Sequence, residues 1–401
     1  MNNKLTVGDV STIKSYKYTS DIRLQVSDYD KYEQYIDIEK LYHGKKDDKN
    51  MRLGLFKDEE RDLRAVPGLS VICGMTGHGK SMLGNSLAYK AVKEGYNVLY
   101  ITLEVNKEDM FYQMLSIKSF VDGPGGLDKA ISHSDIKRKA LRPEQESYLF
   151  KELWPQFKEM KGNLHILSEF DFNVNDTLSM QQKMMEVENY SIAKSGKGID
   201  MIIVDYIQLF KMYTRNQNIG SGEYAVLTNW VNDFRKLSLN YLGENREIPI
   251  ILLSQLNRDA WSDEKYRQKQ IAKNNMSVQF VPANSNTRQV HVPEIVLNIS
   301  QIAGCTEIAK AAKQVITIYS DDGLKASNQC LISVLKNRNG ETHSSQHLTY
   351  MNPKYYVVGY NTECKDTFNG ALADILDDSE TLNLNAICAG SSDPFATMGE
   401  L

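Results

Sequence analysis

Short apolar runs alternate with longer amphipathic segments between about residues 61 and 360. Seven runs show little polar alternation, as expected of strands that are buried on both faces: LSVICG, NVLYITLE, NLHILSE, DMIIVDY, PIILLSQ, QVITIY and QCLISVLK. The segments between them include three with helical periodicity: SMLGNSLAYKAVKEG, NKEDMFYQMLSIKSF and EYAVLTNWVNDFRKLSLNYL. This order predicts an α/β fold with a mostly parallel sheet that helices cover on both sides.

The regions on either side of this α/β pattern differ from it. Residues 1–60 contain one short amphipathic segment, SDYDKYEQYIDIEKLY, which predicts a helix that docks on another surface. Residues 361–401 carry eight acidic side chains against one lysine, so we expect a mostly disordered acidic tail. We therefore predict three regions: an N-terminal segment over 1–60, the α/β domain over 61–360 and the acidic tail over 361–401.

The composition places the chain among globular proteins, with 401 residues of which 41% are hydrophobic and 24% charged. No apolar run is long enough to cross a membrane, and the N-terminus lacks the apolar centre of a secretion signal. The five cysteines form no CxxC pair, which indicates reduced thiols and no zinc site. We therefore expect a cytoplasmic protein without membrane contact. Its net charge of −4 means that any nucleic-acid contact must use a local basic surface.

The most specific motif is GMTGHGKS at positions 74–81, which matches GxxxxGK(S/T) between an apolar run and a helical segment. Its glycines let the backbone wrap a polyphosphate, so that N–H groups and the helix start face the anion. Lys80 would bridge the β- and γ-phosphates, and the Ser81 hydroxyl would bind Mg²⁺. The candidate nucleotide-binding residues are Gly74, Met75, Thr76, Gly77, His78, Gly79, Lys80, Ser81 and Met82. The motif predicts ATP and Mg²⁺ as cofactors.

Three further strand ends carry candidate groups for the same site. Asp205 ends the apolar run MIIVD and is the second candidate Mg²⁺ ligand, while Glu104 follows another run and Gln255 ends a third. The carboxyl ends of parallel strands meet at one edge of a sheet, so these side chains would face the γ-phosphate. There a carboxylate can deprotonate water, and an amide can sense the phosphate. The alternative for Glu104 is an acid that favours a helix start.

Five segments together resemble the helicase domain of DnaB-type replicative helicases, the hexameric RecA-like motors of bacteria and phages. In chain order they are GMTGHGKS, YITLEVNKEDMFYQMLS, MIIVDYIQLF, IPIILLSQLNRDAW and ISVLKNRNGETH. The resemblance covers roughly residues 61–360 and implies a RecA-like P-loop NTPase fold. It also implies a DNA-stimulated ATP hydrolase that moves 5′-to-3′ along single-stranded DNA as a homo-hexameric ring.

The same resemblance implies a role for each candidate catalytic residue. Lys80 and Ser81 are the P-loop pair, Glu104 is the catalytic base, Asp205 the metal-side acid and Gln255 the coupling glutamine, and Lys336 and Arg338 form the K-x-R pair. In this family the K-x-R pair reaches the ATP site of the neighbouring subunit, where it neutralises charge on the transferred phosphoryl group. The spacing alone places Lys336 and Arg338 on one face of a strand, for which a charged hairpin tip is the simpler interpretation.

Some features depart from the DnaB-type pattern. His78 stands where a small or apolar residue is expected, the N-terminal segment is too short for the helical domain of bacterial relatives, and the polar stretch 262–293 predicts a long exposed loop. These departures predict a trimmed, phage-style helicase. Basic residues of two loops are the candidate DNA contacts: Lys211, Arg215, Arg258, Lys265, Arg267, Lys269, Lys273 and Arg288.

The acidic tail would repel DNA phosphates, which leaves two roles: an electrostatic guard against unproductive DNA binding, or a flexible hook for a partner protein. The second role is favoured by an aromatic residue in the tail. Phe395, within the sequence Asp393-Pro394-Phe395, offers a hook for a primase, a polymerase or a single-strand-binding protein. Two alternatives to a helicase remain open: a RecA-like recombinase that forms a filament on DNA, and a non-motor ATP-binding switch. Unwinding by a closed ring would exclude the recombinase, and DNA-stimulated hydrolysis would exclude the switch.

Overall fold

The structure is a computed structural model of the 401-residue chain. It describes residues 51–53, 55, 63–123, 130–174, 176–210, 223–244, 246–256, 281–283, 287–289, 302, 306–326, 328–338 and 347–359. The N-terminal docking helix, the acidic tail and all the candidate DNA contacts except Arg288 lie outside these described residues. The predictions made for those regions, and the three-region division itself, therefore stay predictions.

A central sheet organises the described part of the chain. The strands are β1 (Gly68–Gly74), β2 (Val98–Thr102), β3 (Leu164–Ser168), β4 (Met201–Asp205), β5 (Pro249–Gln255), β6 (Val281–Ala283), β7 (Thr287–Gln289), β8 (Gln314–Tyr319), β9 (Gln329–Asn337), β10 (His347–Asn352) and β11 (Val357–Val358). Nine of them form one sheet in the order β11-β10-β9-β8-β1-β5-β4-β2-β3. The strands from β8 to β3 are all parallel, which confirms the predicted fold class.

The other side of the sheet is antiparallel: β9 pairs with β8, β10 with β9, and β11 with β10 in opposite directions. Only the short segment from Ser320 to Asn328 connects β8 to β9. A parallel crossover needs roughly a dozen residues or more, so the chain turns back here instead. No sequence pattern predicted β10 and β11, which extend this antiparallel edge.

Helices flank the sheet along most of its length. They are α1 (Lys80–Glu94), α2 (Lys107–Val121), α3 (His133–Lys137), α4 (Pro143–Tyr148), α5 (Trp154–Lys158), α6 (Thr177–Ser195), α7 (Glu223–Leu239), α8 (Thr306–Ala311) and α9 (Asp322–Ala326). The three helices predicted from periodicity correspond to α1, α2 and α7, whereas α3 to α6 were not predicted. Within the described ranges, no helix combines the length and apolarity needed to cross a membrane.

Hydrophobic cores lie on both faces of the sheet. Val71 of β1 packs in a core that includes Trp230 of α7. Its neighbour Ile72 packs in a different core, with Leu83 of α1 and Met114 of α2. Successive side chains of a strand point to opposite faces, so β1 contributes to both cores. The prediction that helices cover the sheet on both sides is confirmed.

A short antiparallel ribbon lies within the stretch that was expected to be an exposed loop. Strand β6 pairs with β7, with Val281 opposite Gln289 and Ala283 opposite Thr287. Strands of three residues are too short to show a hydrophobic period, which explains why the sequence analysis treated this stretch as a loop. Arg288 lies on β7 opposite Pro282.

Candidate active site

The P-loop connects the end of β1 to the start of α1. Two of its glycines have positive φ angles, 77° at Gly77 and 94° at Gly79, which side chains strongly disfavour. Gly79 is the N-cap of α1, no side chain caps this end, and the first turn contains no acidic residue. The backbone N–H donors and the positive end of the helix dipole are therefore presented to an anion.

The P-loop packs tightly against the antiparallel side of the sheet. A Cβ atom at Gly74 would lie 2.6 Å from the carbonyl oxygen of Ile318, and one at Gly79 would lie 2.9 Å from the Met351 sulfur. The contact at position 74 is with backbone and excludes a side chain, whereas a side chain at position 79 would require Met351 to shift. Glycine at these positions therefore lets the loop approach β8 and β10, besides giving it backbone freedom.

His78 is buried between the P-loop and the end of β8. Its ring centroid lies 4.9 Å from that of Tyr319, and its Nδ1 accepts a hydrogen bond of 3.1 Å from the Ser320 N–H. Burial, together with the nearby Lys325 and Lys80 charges, lowers the pKa of His78 to about 4, so the ring is neutral near pH 7. This departure from the family pattern holds the loop in place.

Lys80 begins α1 and turns back into the P-loop. Its Nζ donates a 2.9 Å hydrogen bond to the carbonyl oxygen of Met75, and its side chain is almost completely buried. Burial lowers the pKa of Lys80, while the carboxylates of Asp205 and Glu104 act in the opposite direction. The lysine is thus electrostatically linked to both candidate acids.

Asp205 ends β4 and is fully buried beside the P-loop. Tyr100 Oη donates a 3.2 Å hydrogen bond to Asp205 Oδ2, whereas Oδ1 has no hydrogen-bond partner among the described residues. Burial raises the pKa of Asp205 to about 6, hydrogen bonds from the Ser81 and Tyr100 hydroxyls to the carboxylate oppose this, and the charge of Glu104 adds to it.

A hydroxyl and an unpaired carboxylate oxygen are hard oxygen donors that suit Mg²⁺. The described residues contain no cluster of three or more His, Cys, Asp or Glu side chains that could hold a metal ion. Mg²⁺ usually keeps several waters and takes few protein ligands beside the nucleotide phosphates. The predicted pair, Ser81 and Asp205, therefore fits this cation.

Glu104 lies two residues beyond β2 in a tight turn. The Thr102 hydroxyl fixes this turn, because it accepts a 3.1 Å hydrogen bond from the Val105 N–H and donates one of 2.9 Å to the Val105 carbonyl. Helix α2 has Asn106 as its N-cap, and its first turn already contains Glu108 and Asp109. Glu104 is exposed and lies outside that helix, which weighs against the alternative that it serves the helix start.

Gln255 pairs in register with Gly74, the first residue of the P-loop. Its N–H donates a 3.1 Å hydrogen bond to Gln208 Oε1, and Gln208 Nε2 donates to the Ser254 hydroxyl at 2.7 Å. Gln208 is buried, and the Tyr206 side chain hydrogen-bonds to Gln255. The contacts of Tyr206 and Gln208 were not predicted from the sequence, although both residues lie in the DYIQL segment.

Two further tyrosines near the acids were also missed. Burial raises the pKa values of Tyr100 and Tyr356 well above the ordinary value, and the charge of Asp205 adds to both. Tyr356 comes from the turn between β10 and β11, where its φ is 65°. No sequence motif pointed to either residue, because the contacts depend on how distant strands align.

Lys336 and Arg338 do not join this site within the chain. The end of β9 is level with Ser70 of β1, since Asn337 pairs with Gln314 and Gln314 with Ser70. Four residues of strand separate Ser70 from Gly74, which corresponds to about 13 Å. The K-x-R pair therefore lies towards the opposite edge of the sheet.

The two side chains of the K-x-R pair lie together at the end of α8. Lys336 Nζ donates to the carbonyl oxygen of Ala309 at 2.7 Å, and Arg338 Nη2 donates to that of Lys310 at 3.2 Å. Cations are favourable at the carboxyl end of a helix, where carbonyl oxygens are unpaired. The prediction that both side chains leave the same face of the strand agrees with these contacts.

A glycine-rich loop between a strand and a helix, with a buried carboxylate two strands away, defines a P-loop nucleotide-binding domain of the RecA-like type. Residues 66–355 match the family described as DnaB-like helicase C terminal domain. Because this match covers most of the chain, the protein belongs to that family.

Known relatives and solved structures agree with this assignment. The chain is 23% identical over 192 residues to the "Probable replicative DNA helicase" of Trieres chinensis, a match that covers 48% of this chain and 36% of the relative. It is similar in fold to two solved structures, each with a TM-score of 0.50 over 73% of this chain.

The first structure is described as "The Structure Of A DnaB-Like Replicative Helicase And Its Interactions With Primase", with 14% identity over 57% of that chain. The second is described as an ATPase domain, with 15% identity over 84% of that chain. The match thus spans little more than a third of the curated relative and just over half of the first structure.

Proposed function

We propose that the protein is an ATP-dependent DNA helicase that moves along single-stranded DNA as a homo-hexameric ring. Its membership of the DnaB-like family supports a replicative motor, and the P-loop with its two candidate acids supports ATP as the fuel. The observation that carries the proposal is the division of the candidate catalytic residues between two edges of one sheet. Such a division suits an assembly in which each subunit completes the site of its neighbour.

In the proposed mechanism, the P-loop and the start of α1 bind the triphosphate through backbone N–H groups. Lys80 exchanges its hydrogen bond to Met75 for the β- and γ-phosphate oxygens. Ser81 and Asp205 would hold Mg²⁺, which would supply charge neutralisation on the phosphates. Glu104, exposed next to these groups, accepts the proton of the attacking water.

Gln255 connects the nucleotide to the proposed DNA-binding loops. It lies beside Gly74, and the next residue, Leu256, donates its N–H to the Gly74 carbonyl at 3.2 Å. Only two positions separate Gln255 from Arg258, the first of the basic residues in 258–273. A change at the γ-phosphate would therefore reach this loop directly, and its basic side chains would hold DNA phosphates without reading sequence.

The K-x-R pair acts on a different nucleotide. The end of β9 lies about 13 Å along the strand direction from the level of Gly74, so Lys336 and Arg338 would serve the ATP site of the next subunit. This contact is head-to-tail, and repeated head-to-tail contacts between identical chains form a ring when the rotation closes and an open filament when it does not. The family resemblance supports the ring. The number six, and the 5′-to-3′ direction of movement, follow from the family resemblance.

Partner proteins belong to the same proposal. One structural neighbour is described with its interactions with primase, and we extend that to this chain through the acidic tail, with a polymerase or single-strand-binding protein as other partners. The recombinase alternative rests on the RecA-like fold alone.

The test is unwinding of a forked DNA duplex in the presence of ATP and Mg²⁺. We expect strand separation on a substrate with a free 5′ tail and none on a substrate with only a 3′ tail, with Lys80→Ala as the inactive control. Strand exchange between homologous duplexes without any unwinding would contradict the helicase and support the recombinase.

A further inference from the structure

Tyr100 has an unusual position for a polar side chain in the middle of a buried strand. It lies on β2, is 1% exposed, and its hydroxyl reaches Asp205 Oδ2 at 3.2 Å. In an apolar core the same space would be filled by phenylalanine or leucine. A phenol placed here needs a partner for its hydroxyl, and the partner is the metal-side carboxylate.

The helix next to this strand has a gap that admits the hydroxyl. A Cβ atom at Gly84 of α1 would lie 3.0 Å from Tyr100 Oη and 2.8 Å from Leu253 Cδ1. A larger residue at position 84 would therefore require Leu253, Tyr100 or the helix to shift. The contact between Tyr100 and Asp205 is thus built by three elements: β2, β4 and α1.

The two oxygens of Asp205 have different surroundings. Oδ2 accepts a hydrogen bond of 3.2 Å from the buried Tyr100 hydroxyl. Oδ1 is buried without a hydrogen-bond partner among the described residues. A buried carboxylate oxygen without a partner is costly in a folded protein, and a cation at this position would remove that cost.

We propose that Tyr100 is a positioning residue for Asp205: its hydroxyl holds Oδ2 and leaves Oδ1 to a divalent cation bound with the nucleotide, a role that rests on the proposed ATP site. Tyr100 itself touches neither the nucleotide nor the cation. Hydrogen bonds that fix a metal-binding side chain in this way typically change metal affinity by about 10- to 100-fold. The side chain therefore acts on the cation only through Asp205.

The test compares Tyr100→Phe with Tyr89→Phe. Both variants lose only a hydroxyl that donates to a carboxylate, since Tyr89 contacts Asp122 on the same side of the sheet but away from the P-loop. The dissociation constant of the non-hydrolysable analogue AMP-PNP is measured with EDTA and with excess Mg²⁺ for each protein. The dissociation constant in EDTA divided by that in excess Mg²⁺ reports how much the cation strengthens nucleotide binding, and it does not depend on turnover.

For Tyr100→Phe we expect an unchanged affinity in EDTA and a ratio about tenfold smaller than that of the wild type. Tyr89→Phe should keep the wild-type ratio. An unchanged ratio in Tyr100→Phe would overturn the proposal, as would a loss of AMP-PNP binding in EDTA, which would indicate a general structural role. If the wild type itself showed no Mg²⁺ effect, the proposed ATP site would fail and the role of Tyr100 with it.

Discussion

The two edges of the parallel sheet carry different candidate catalytic groups. At the carboxyl ends of the strands, the P-loop, Asp205 and Glu104 lie close enough for their charges to influence one another. Towards the amino ends, Lys336 and Arg338 bind the carbonyl oxygens at the end of α8. One edge carries the nucleotide-binding motif, and the other carries two cations about 13 Å of strand away from it. This separation is the basis of the proposal that the active sites form between subunits.

The largest expected effect is at the edge that carries the cations. Arg338→Ala should leave AMP-PNP binding unchanged and lower the ATP hydrolysis rate about 10³- to 10⁵-fold, because the transferred phosphoryl group loses the cation that the neighbouring subunit supplies. The matched control is Arg138→Ala, which removes an arginine that pairs with Asp135. A normal hydrolysis rate in Arg338→Ala would show that the two edges are not functionally linked.

The catalytic base should have the next largest effect. Glu104→Gln should bind AMP-PNP normally but hydrolyse ATP about 10²- to 10⁴-fold more slowly, because only the proton acceptor is lost. Glu108→Gln changes an acid four residues further on, in the first turn of α2, and should keep the wild-type rate. If both variants hydrolyse ATP normally, Glu104 is not the base.

The third prediction concerns Asp205 and the pH dependence of the unfolding free energy. Asp205 has a folded-state pKa of about 6, above its usual value of 3.8, because of burial and the charge of Glu104. Its contribution to stability is therefore most favourable below pH 3.8 and falls as the pH rises through 6. In EDTA and without nucleotide, Asp205→Asn should raise the unfolding free energy at about pH 7.5 by on the order of 2 kcal/mol.

Asp171 offers a control of opposite sign for this stability measurement. Hydrogen bonds from Lys107 and Ser168 outweigh its burial and hold its pKa below the usual range. Asp171→Asn should therefore lower stability at pH 7.5. A thermal unfolding series between pH 4.5 and 7.5 checks both variants, and a destabilised Asp205→Asn at the upper end would contradict the assignment of a strained buried charge.

The smallest effect should come from the residue that holds the P-loop. His78→Phe keeps a ring beside Tyr319 but leaves the buried Ser320 N–H unpaired, which should cost about 1 kcal/mol of unfolding free energy. His165→Phe is the matched control, since His165 Nε2 has no hydrogen-bond partner in the described part of the chain. If the two variants unfold at the same temperature, His78 does not stabilise the P-loop.

The P-loop edge was predictable in part because its backbone is set by local sequence. A strand, a glycine-rich turn and an amphipathic helix follow one another in residues 68–94, and each pattern is visible without the fold. Asp205 was predictable because it ends an apolar run. The confirmed family and α/β fold rest on the same segments.

The remaining contacts depend on how distant strands pair in the sheet, which local sequence patterns do not predict. Tyr100 meets Asp205 because β2 and β4 pair with Thr102 opposite Asp205. Tyr356 comes from the turn between β10 and β11, strands that had no recognisable pattern. The K-x-R pair lies at the edge of the sheet opposite the P-loop because β9 runs antiparallel to β8. That direction is set by the short connection between β8 and β9, which is too short for a parallel crossover.

The most direct test of a shared active site is to mix two inactive proteins. Lys80→Ala and Arg338→Ala, combined over a range of ratios, should regain ATP hydrolysis, because an intact P-loop of one variant meets an intact arginine of the other. A mixture of Lys80→Ala with Glu104→Gln should stay inactive, since both defects lie on the same edge of the sheet. Recovery in the first mixture alone is the predicted result, and no recovery at any ratio would contradict an active site formed between subunits.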